Sequence, residues 1–327
     1  MISSTDPDPD ARSANDRCLG IDFGGTKVAL AVSGVGAGCW RGAADAHFRW
    51  PAPGSLDSDL AALDAGLATF RARFPAKIRS VGIALPATVI DGRVRAWPNR
   101  PFWTGLDVAG ALRNRFPGAK IRWADDGQAA ALAEARQAGC DDLAYLGVGT
   151  GVGGGLVLGG RPWPRLEAGS ELGHLVIDRA GPLCKCGRSG CVQAIASGPA
   201  TLDRAAALRG LPVSVTGLRA AHAAGVSWAV KAVSATAAAL AIVAMNLTEI
   251  ISPSVIRIGG GFGSAITGLV PEVTAGVEAL GRPAHPCAPV QSSAFGGGAS
   301  LAGALLLANE LLANELPATE LPATDQE

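Results

Sequence analysis

The 327-residue sequence carries no excess charge of either sign, with Lys plus Arg and Asp plus Glu at 28 each. Without a basic field nothing gathers phosphate backbones or anionic lipid, so neither nucleic acid nor a membrane surface is an expected partner. The opening residues, MISSTDPDPDARSANDR, are acidic and rich in Pro and Ser, and lack the basic start and apolar run of a signal peptide. No apolar run reaches the ~18 residues of a membrane span, and a cytoplasmic protein is the expectation. Seven cysteines, an odd number in a long chain without an export signal, do not read as a disulfide framework, so reduced thiols are the default.

What is present is a hydrophobic content of 48%, enough for one large or two ordinary domains with buried cores. Strand-like and helix-like stretches alternate, which predicts an α/β protein. CLGIDFGGTKVALAVSG reads as strand, glycine turn, strand, and LAYLGVGTGVGGGLVLGG repeats that pattern mid-chain. IRWADDGQAAALAEARQAG is a short strand running into an Ala-rich helix, and VKAVSATAAALAIVAMNLTEI is a long apolar helix, read as buried. SVIRIGGGFG is a strand ending in a third glycine turn, and the repetitive C-terminal residues are expected to fray.

The three glycine turns suggest backbone cradles for one polyanionic ligand. GIDFGGTK nearly matches a Walker loop, but Thr26 precedes Lys27, and a strand follows where that motif needs a helix. The turn is therefore a hairpin whose Gly24, Gly25 and Thr26 backbone can approach phosphate, with Asp22 placed to hold a hydrated Mg2+. A plain Gly-Gly hairpin is the alternative. GTGVGG from Gly149 formally matches a dinucleotide fingerprint, yet it too is followed by a strand, which disfavours a Rossmann dehydrogenase. Two strand-turn-strand phosphate loops instead describe the duplicated, ribonuclease H-like ATPase fold of actin and sugar kinases.

With those motifs and ELGHLVID…CKCGRSGC, the sequence resembles the ROK family of repressors, open-reading-frame proteins and sugar kinases, from about Cys18 to Leu307. The resemblance implies a two-domain actin-like α/β fold with an interdomain cleft. Residues 1–17 are then a disordered tail and 18–122 a smaller domain, joined by about 308–316 of the C-terminal helix. Residues 123–307 form a larger domain carrying the sugar site, and 317–327 a low-complexity tail. The repressor branch carries a helix-turn-helix before its first phosphate motif, and the short Pro/Asp-rich segment here is too small for one. ATP is the implied phosphoryl donor, bound by Gly24, Gly25, Thr26 and Lys27, by Gly149, Thr150, Gly151, Gly153 and Gly154, and by Gly260 and Gly261. Family members also form dimers, although the apolar helix could equally be core.

His174, Cys184, Cys186 and Cys191 make a Cys3His set suited to tetrahedral structural zinc. A redox pair would want Cys-x-x-Cys at a helix N-terminus, which the sequence does not have. Buried free thiols are the alternative, and ordinary packing is the reading for Cys18, Cys39, Cys140 and Cys287. Four protein ligands leave no open position, so the ion would be structural. The family resemblance makes Glu171 and His174 hydroxyl partners of the sugar, with His174 offering one ring nitrogen to each.

Asp125 and Asp126 sit where a strand becomes a helix, and N-capping alone would account for both. In the resemblance Asp126 matches the catalytic aspartate that accepts the proton of the attacking hydroxyl. Asp125 stands where the family commonly has Asn, and Gln193 where its sugar kinases commonly have Glu. A carboxylate only accepts, and it adds charge beside Asp126. Acidic charge has thus moved from the anomeric end of the sugar towards C3, which suits an ammonium group there. A 3-amino-3-deoxyglucose, kanosamine, fits better than glucose or N-acetylmannosamine, and Asn99 is a further hydroxyl partner. The expectation is a hexose 6-kinase preferring an amino sugar. A glucokinase or N-acetylmannosamine kinase, and a sugar-responsive binding protein without catalysis, are the alternatives.

Overall fold

The structure, a computed structural model, describes residues 16–35 and 44–313. Most of the expected N-terminal tail, the whole C-terminal tail and Cys39 lie outside the described residues.

Two five-stranded sheets have the same construction. The first contains β1 (Asp16–Phe23), β2 (Lys27–Ser33), β3 (Ala44–Arg49), β4 (Lys77–Leu85) and β7 (Lys120–Asp125), in the order β3-β2-β1-β4-β7. The second contains β8 (Leu143–Val148), β9 (Val152–Leu158), β10 (Arg161–Trp163), β11 (Val255–Gly259) and β12 (Val290–Ser292), in the order β10-β9-β8-β11-β12. In each, an antiparallel three-strand meander is extended by two parallel strands on the side of its first strand. This is the duplicated actin-like architecture, and each glycine turn joins the first two strands of its sheet. Between β4 and β7, β5 (Thr88–Ile90) and β6 (Arg93–Ala96) form a separate hairpin.

Two helices fill the space between the sheets. α3 (Asp126–Ala138) lies on β8 and β9, and α9 (Ala299–Ala313) lies on β1, β4 and β7, with the helices packed on each other. The run Gly127–Ala135 in α3 is buried throughout, which its alanines permit because a small side chain lets layers approach from every side. Glu134, fully enclosed in this run, accepts hydrogen bonds from the Ser293 hydroxyl and from the Ala294 and Phe295 backbone N–H groups. It thereby ties α3 to the loop after β12.

The remaining helices sit outside the sheets. α1 (Leu56–Arg73) starts at a Ser55–Ser58 capping box, and α2 (Val108–Arg113) is capped by Asp107. Over the second sheet lie α4 (Val192–Ala196), α5 (Gly198–Arg209), α6 (Val215–Ala223), α7 (Ser227–Ile251) and α8 (Leu269–Leu280). α7 corrects one expectation: its 25 residues are long and apolar enough by composition to cross a membrane. Its alanine, valine and leucine face is enclosed by the core of the second sheet and by α4, α5 and α8. The helix is a core element, as its pattern suggested.

Candidate active site

β7 ends at Asp125 and α3 begins at Asp126, so the strand-to-helix transition delivers both carboxyl groups to the space between the sheets. A cavity of about 1120 Å³ opens there, bounded by residues of both halves. The first glycine turn contributes Gly25 and Thr26, the second Gly149, Thr150, Gly151, Gly153 and Gly154, and the third Gly260 and Gly261. Asn99, Asp125, Asp126, Glu171, His174 and Gln193 line the same cavity. Asp22, Gly24 and Lys27, also expected at the phosphates, are not on its wall. Asp22 is nevertheless near enough to Asp126 and Lys27 to feel both charges.

Asp125 caps α3 through one of its two carboxylate oxygens. Its Oδ1 accepts from the N–H groups of Gly127 (3.0 Å) and Gln128 (3.1 Å), the arrangement of a helix N-cap. Oδ2 takes no part in the cap. Gly169 covers the carboxylate: a methyl placed on it would meet Cγ, Oδ1 and Oδ2 at 2.6 to 2.7 Å. The backbone N–H of Asp125 also donates to Leu166 O at 3.0 Å, so the segment over the carboxylate is anchored beside it.

The acids crowd one another. Desolvation, then the Asp126 charge, push Asp125 from 3.8 up to about 8, against the lowering pull of the capping N–H groups. Desolvation and Asp126 likewise raise Asp22 to about 7. Asp126 is itself raised, mainly by desolvation, with Glu171 adding to the shift. A cation placed among them would favour their ionised forms. Asp22 offers the hard oxygen donors that suit a divalent cation such as Mg2+.

A tight 3-10 turn, Leu172–His174, sets the Glu171 and His174 side chains beside each other, with His174 Nε2 3.9 Å from Glu171 Oε2. The other ring nitrogen, Nδ1, lies 3.7 Å from Cys184 Sγ, and the Cys186 and Cys191 sulfurs are 3.6 Å apart. All four ligand atoms of His174, Cys184, Cys186 and Cys191 fall within 4.8 Å of one another. Ligands about 2.0 to 2.3 Å from one tetrahedral ion would be separated in this way, so the donor set fits structural zinc. The Arg188 backbone N–H, the largest influence on the Cys186 thiol, helps lower it to about 6, while burial and then the hydrogen bond with Cys186 raise the Cys191 thiol to about 11, so within the cluster the two thiols are pushed in opposite directions.

Gln193 follows Cys191 in the first turn of α4, and its side chain reaches the second glycine turn. Oε1 accepts from Val152 N–H at 3.3 Å, and a side chain on Gly151 would collide with it. Its carbonyl is thus committed to the turn, leaving the amide N–H groups for a ligand.

Several cavity residues escape sequence reasoning: Tyr145, Gly169, Arg165, Glu167, Arg188, Gly297 and Ser300. Only the run Gly296–Gly298 carried a visible signal, as a fourth glycine cluster. Gly260 N–H donates to Gly296 O at 3.2 Å, which joins this cluster to the third turn.

Comparison with known proteins bears on the family and the fold. The sequence profile of the ROK family matches residues 18–311. The kanosamine kinase of Amycolatopsis mediterranei (strain S699) is 46% identical over 289 residues, covering 88% of this chain and 94% of that protein. The N-acetylmannosamine kinase of Vibrio vulnificus (strain CMCP6) is 31% identical over 262 residues, covering 76% and 84%. Among solved structures, a ROK family glucokinase from Streptomyces griseus in complex with glucose and AMPPNP superposes with a TM-score of 0.77 at 27% identity. That match covers 90% of this chain and 99% of the glucokinase.

Proposed function

The chain belongs to the ROK family, and from that premise we propose that it transfers the γ-phosphoryl group of ATP to the 6-hydroxyl of an amino hexose, kanosamine being the favoured acceptor. The observation that carries the choice of sugar is Asp125. It offers an uncommitted Oδ2 beside two further crowded carboxyl groups, a setting that favours an ammonium over a neutral hydroxyl. The 46% identity to a kanosamine kinase points the same way.

In this reading Asp126 is the general base. It takes the proton of the sugar hydroxyl as the oxygen attacks the γ-phosphorus, and the bond from that phosphorus to the β-γ bridging oxygen breaks, releasing ADP. The protein's contribution is chiefly positioning and electrostatics. Backbone groups of the glycine turns at Gly25, Gly149–Gly151 and Gly260–Gly261 approach the triphosphate. Asn99, Glu171, His174 and the Gln193 amide hold sugar hydroxyls. Mg2+, which Asp22 would hold, would neutralise phosphate charge. Zinc on His174, Cys184, Cys186 and Cys191 would fix the His174 ring, whose Nε2 remains for the sugar. The assignment has this protein working on small molecules as a cytoplasmic enzyme, and as a dimer.

The test is a coupled assay with Mg-ATP comparing kcat/KM for kanosamine, glucosamine, glucose and N-acetylmannosamine. Kanosamine should be the best substrate and carry phosphate at C6 in the product. Glucose used as well as kanosamine would refute the ammonium argument. Sugar binding without any turnover would leave a sensor instead of a kinase.

A further inference from the structure

We infer that Trp50 is a positioning residue of the nucleotide site: its indole and backbone N–H groups hold the carbonyls of the first glycine turn, so that the turn's amide face stays towards the cleft. The inference rests on the proposed reading of that turn as a phosphate cradle.

Trp50 follows β3 and donates twice to the turn. Its indole Nε1–H reaches Gly24 O at 2.9 Å, and its backbone N–H reaches Thr26 O at 3.2 Å. In a planar trans peptide the carbonyl and the next residue's N–H point in opposite directions. Fixing the Gly24 carbonyl on the Trp50 side therefore turns the Gly25 N–H to the other side, and Gly25 is a wall residue of the cleft. A glycine turn alone has no such preference, because its peptide planes rotate at little cost. The orientation must be imposed from outside the turn.

Trp50 is itself held. Its ring stacks on Phe23 at 5.8 Å and meets Trp103 at 5.9 Å and Trp97 at 6.5 Å. The Arg100 guanidinium lies over the indole at 5.3 Å and pairs with Asp59 at 2.9 Å, with both side chains almost wholly buried. The second Asp59 oxygen accepts from Trp103 Nε1 at 2.8 Å. A buried acid whose two oxygens are each paired with a donor in this block leaves the indole little freedom to swing.

The same block reaches the sugar side. Asn99 precedes Arg100, and its Nδ2 lies 2.7 Å from where a side chain on Gly25 would begin. One rigid body thus carries a proposed sugar contact and a proposed phosphate contact. Losing only the indole N–H should loosen the phosphate contact and spare the sugar contact, since Arg100 and Asp59 still anchor Asn99.

The experiment compares wild type with Trp50→Phe, which keeps an aromatic ring and loses the indole donor. Mg-AMPPNP affinity is read by calorimetry, and KM for ATP and for kanosamine by the coupled assay. Expected is a fivefold to tenfold weakening of nucleotide binding, the order of one hydrogen bond, with sugar KM within about twofold of wild type. Equal nucleotide affinity in the two proteins, or a sugar KM that rises as much as the ATP KM, overturns the inference. Wild type that binds no nucleotide refutes the functional reading instead. Should Trp50→Phe not fold, Arg100→Lys keeps the charge opposite Asp59 and removes the planar cation from the indole. It should weaken nucleotide binding in the same direction, and unchanged affinity there also counts against the inference.

Discussion

Gly169 lies flat over the carboxylate of Asp125, so close that a methyl on it would meet three atoms of that group at 2.6 to 2.7 Å. The residue proposed to read the amine is therefore held on one side by the helix it caps and on another by a backbone with no side chain. Gly169→Ala should push the carboxylate off its cap and misplace Oδ2. The expected outcome is a kcat/KM for kanosamine that falls at least tenfold, while that for glucose changes less, since glucose has no ammonium to lose. Equal losses for both sugars would mean that the substitution damages the cleft generally.

Asp125→Asn separates recognition from capping. Asparagine caps a helix about as well as aspartate, so the melting temperature should stay within a few degrees. The charge facing the amine is lost, however, and preference should shift from kanosamine towards glucose by about 2 kcal/mol of differential binding if the ion pair is desolvated. Parallel melting curves and kcat/KM ratios measure the two effects. A large drop in melting temperature with unchanged sugar preference would make the residue a cap and nothing more.

The raised acids predict how stability depends on pH. Asp125 and Asp22 titrate near 3.8 when unfolded and at about 8 and about 7 in the folded protein. Between those limits the native state binds more protons than the unfolded chain, so stability falls as pH rises from about 4 to about 8. The melting temperature of the sugar-free protein should decline across that window. Saturating kanosamine should flatten the slope by supplying the cation the acids lack. A melting temperature that rises steadily from pH 5 to 8 would show that these groups ionise freely in the fold.

The metal set makes a prediction with two readouts. Elemental analysis should find close to one zinc per chain, and Cys191→Ser should lower that content and raise sugar KM more than ATP KM, because Nδ1 of His174 faces the metal set and Nε2 faces Glu171. Zinc loss without any change in sugar KM would disconnect the knuckle from the pocket.

How much of this was legible in the sequence follows from how local each signal is. Both hairpin turns announce themselves as an apolar strand, glycines and a second apolar strand, which is why the duplicated core could be read. The Cys3His cluster was likewise compact, three of its side chains lying from Cys184 to Cys191. By contrast β3, with the sequence ADAHFR, is an edge strand with too much polarity to stand out, and β12 is only three residues long. Trp50 meets Gly24 across 26 residues, and Gly169 meets Asp125 through folding alone, so neither has a sequence pattern. For Asp125 the sequence offered cap or ligand, and only geometry assigns Oδ1 to the cap while leaving Oδ2 outside it. Gln193 could be placed in the pocket, but not its bond to Val152, which depends on how α4 meets β9.

Asp126→Asn tests the chemistry and the electrostatics together. Asparagine cannot take the hydroxyl proton, so kcat should fall by at least a hundredfold, while sugar affinity, which the proposed reading assigns to Asp125, Asn99, Glu171 and His174, should change little. The substitution also removes the charge that raises both Asp22 and Asp125, after desolvation the leading cause in each case. Their titrations should then move back towards 3.8, and the window in which stability falls with pH should narrow from its upper end. The variant should therefore show a collapsed kcat and a flatter melting curve against pH. Lost activity with the wild-type pH slope would mean that Asp126 does not govern the ionisation of its neighbours, and normal activity would remove it as the base.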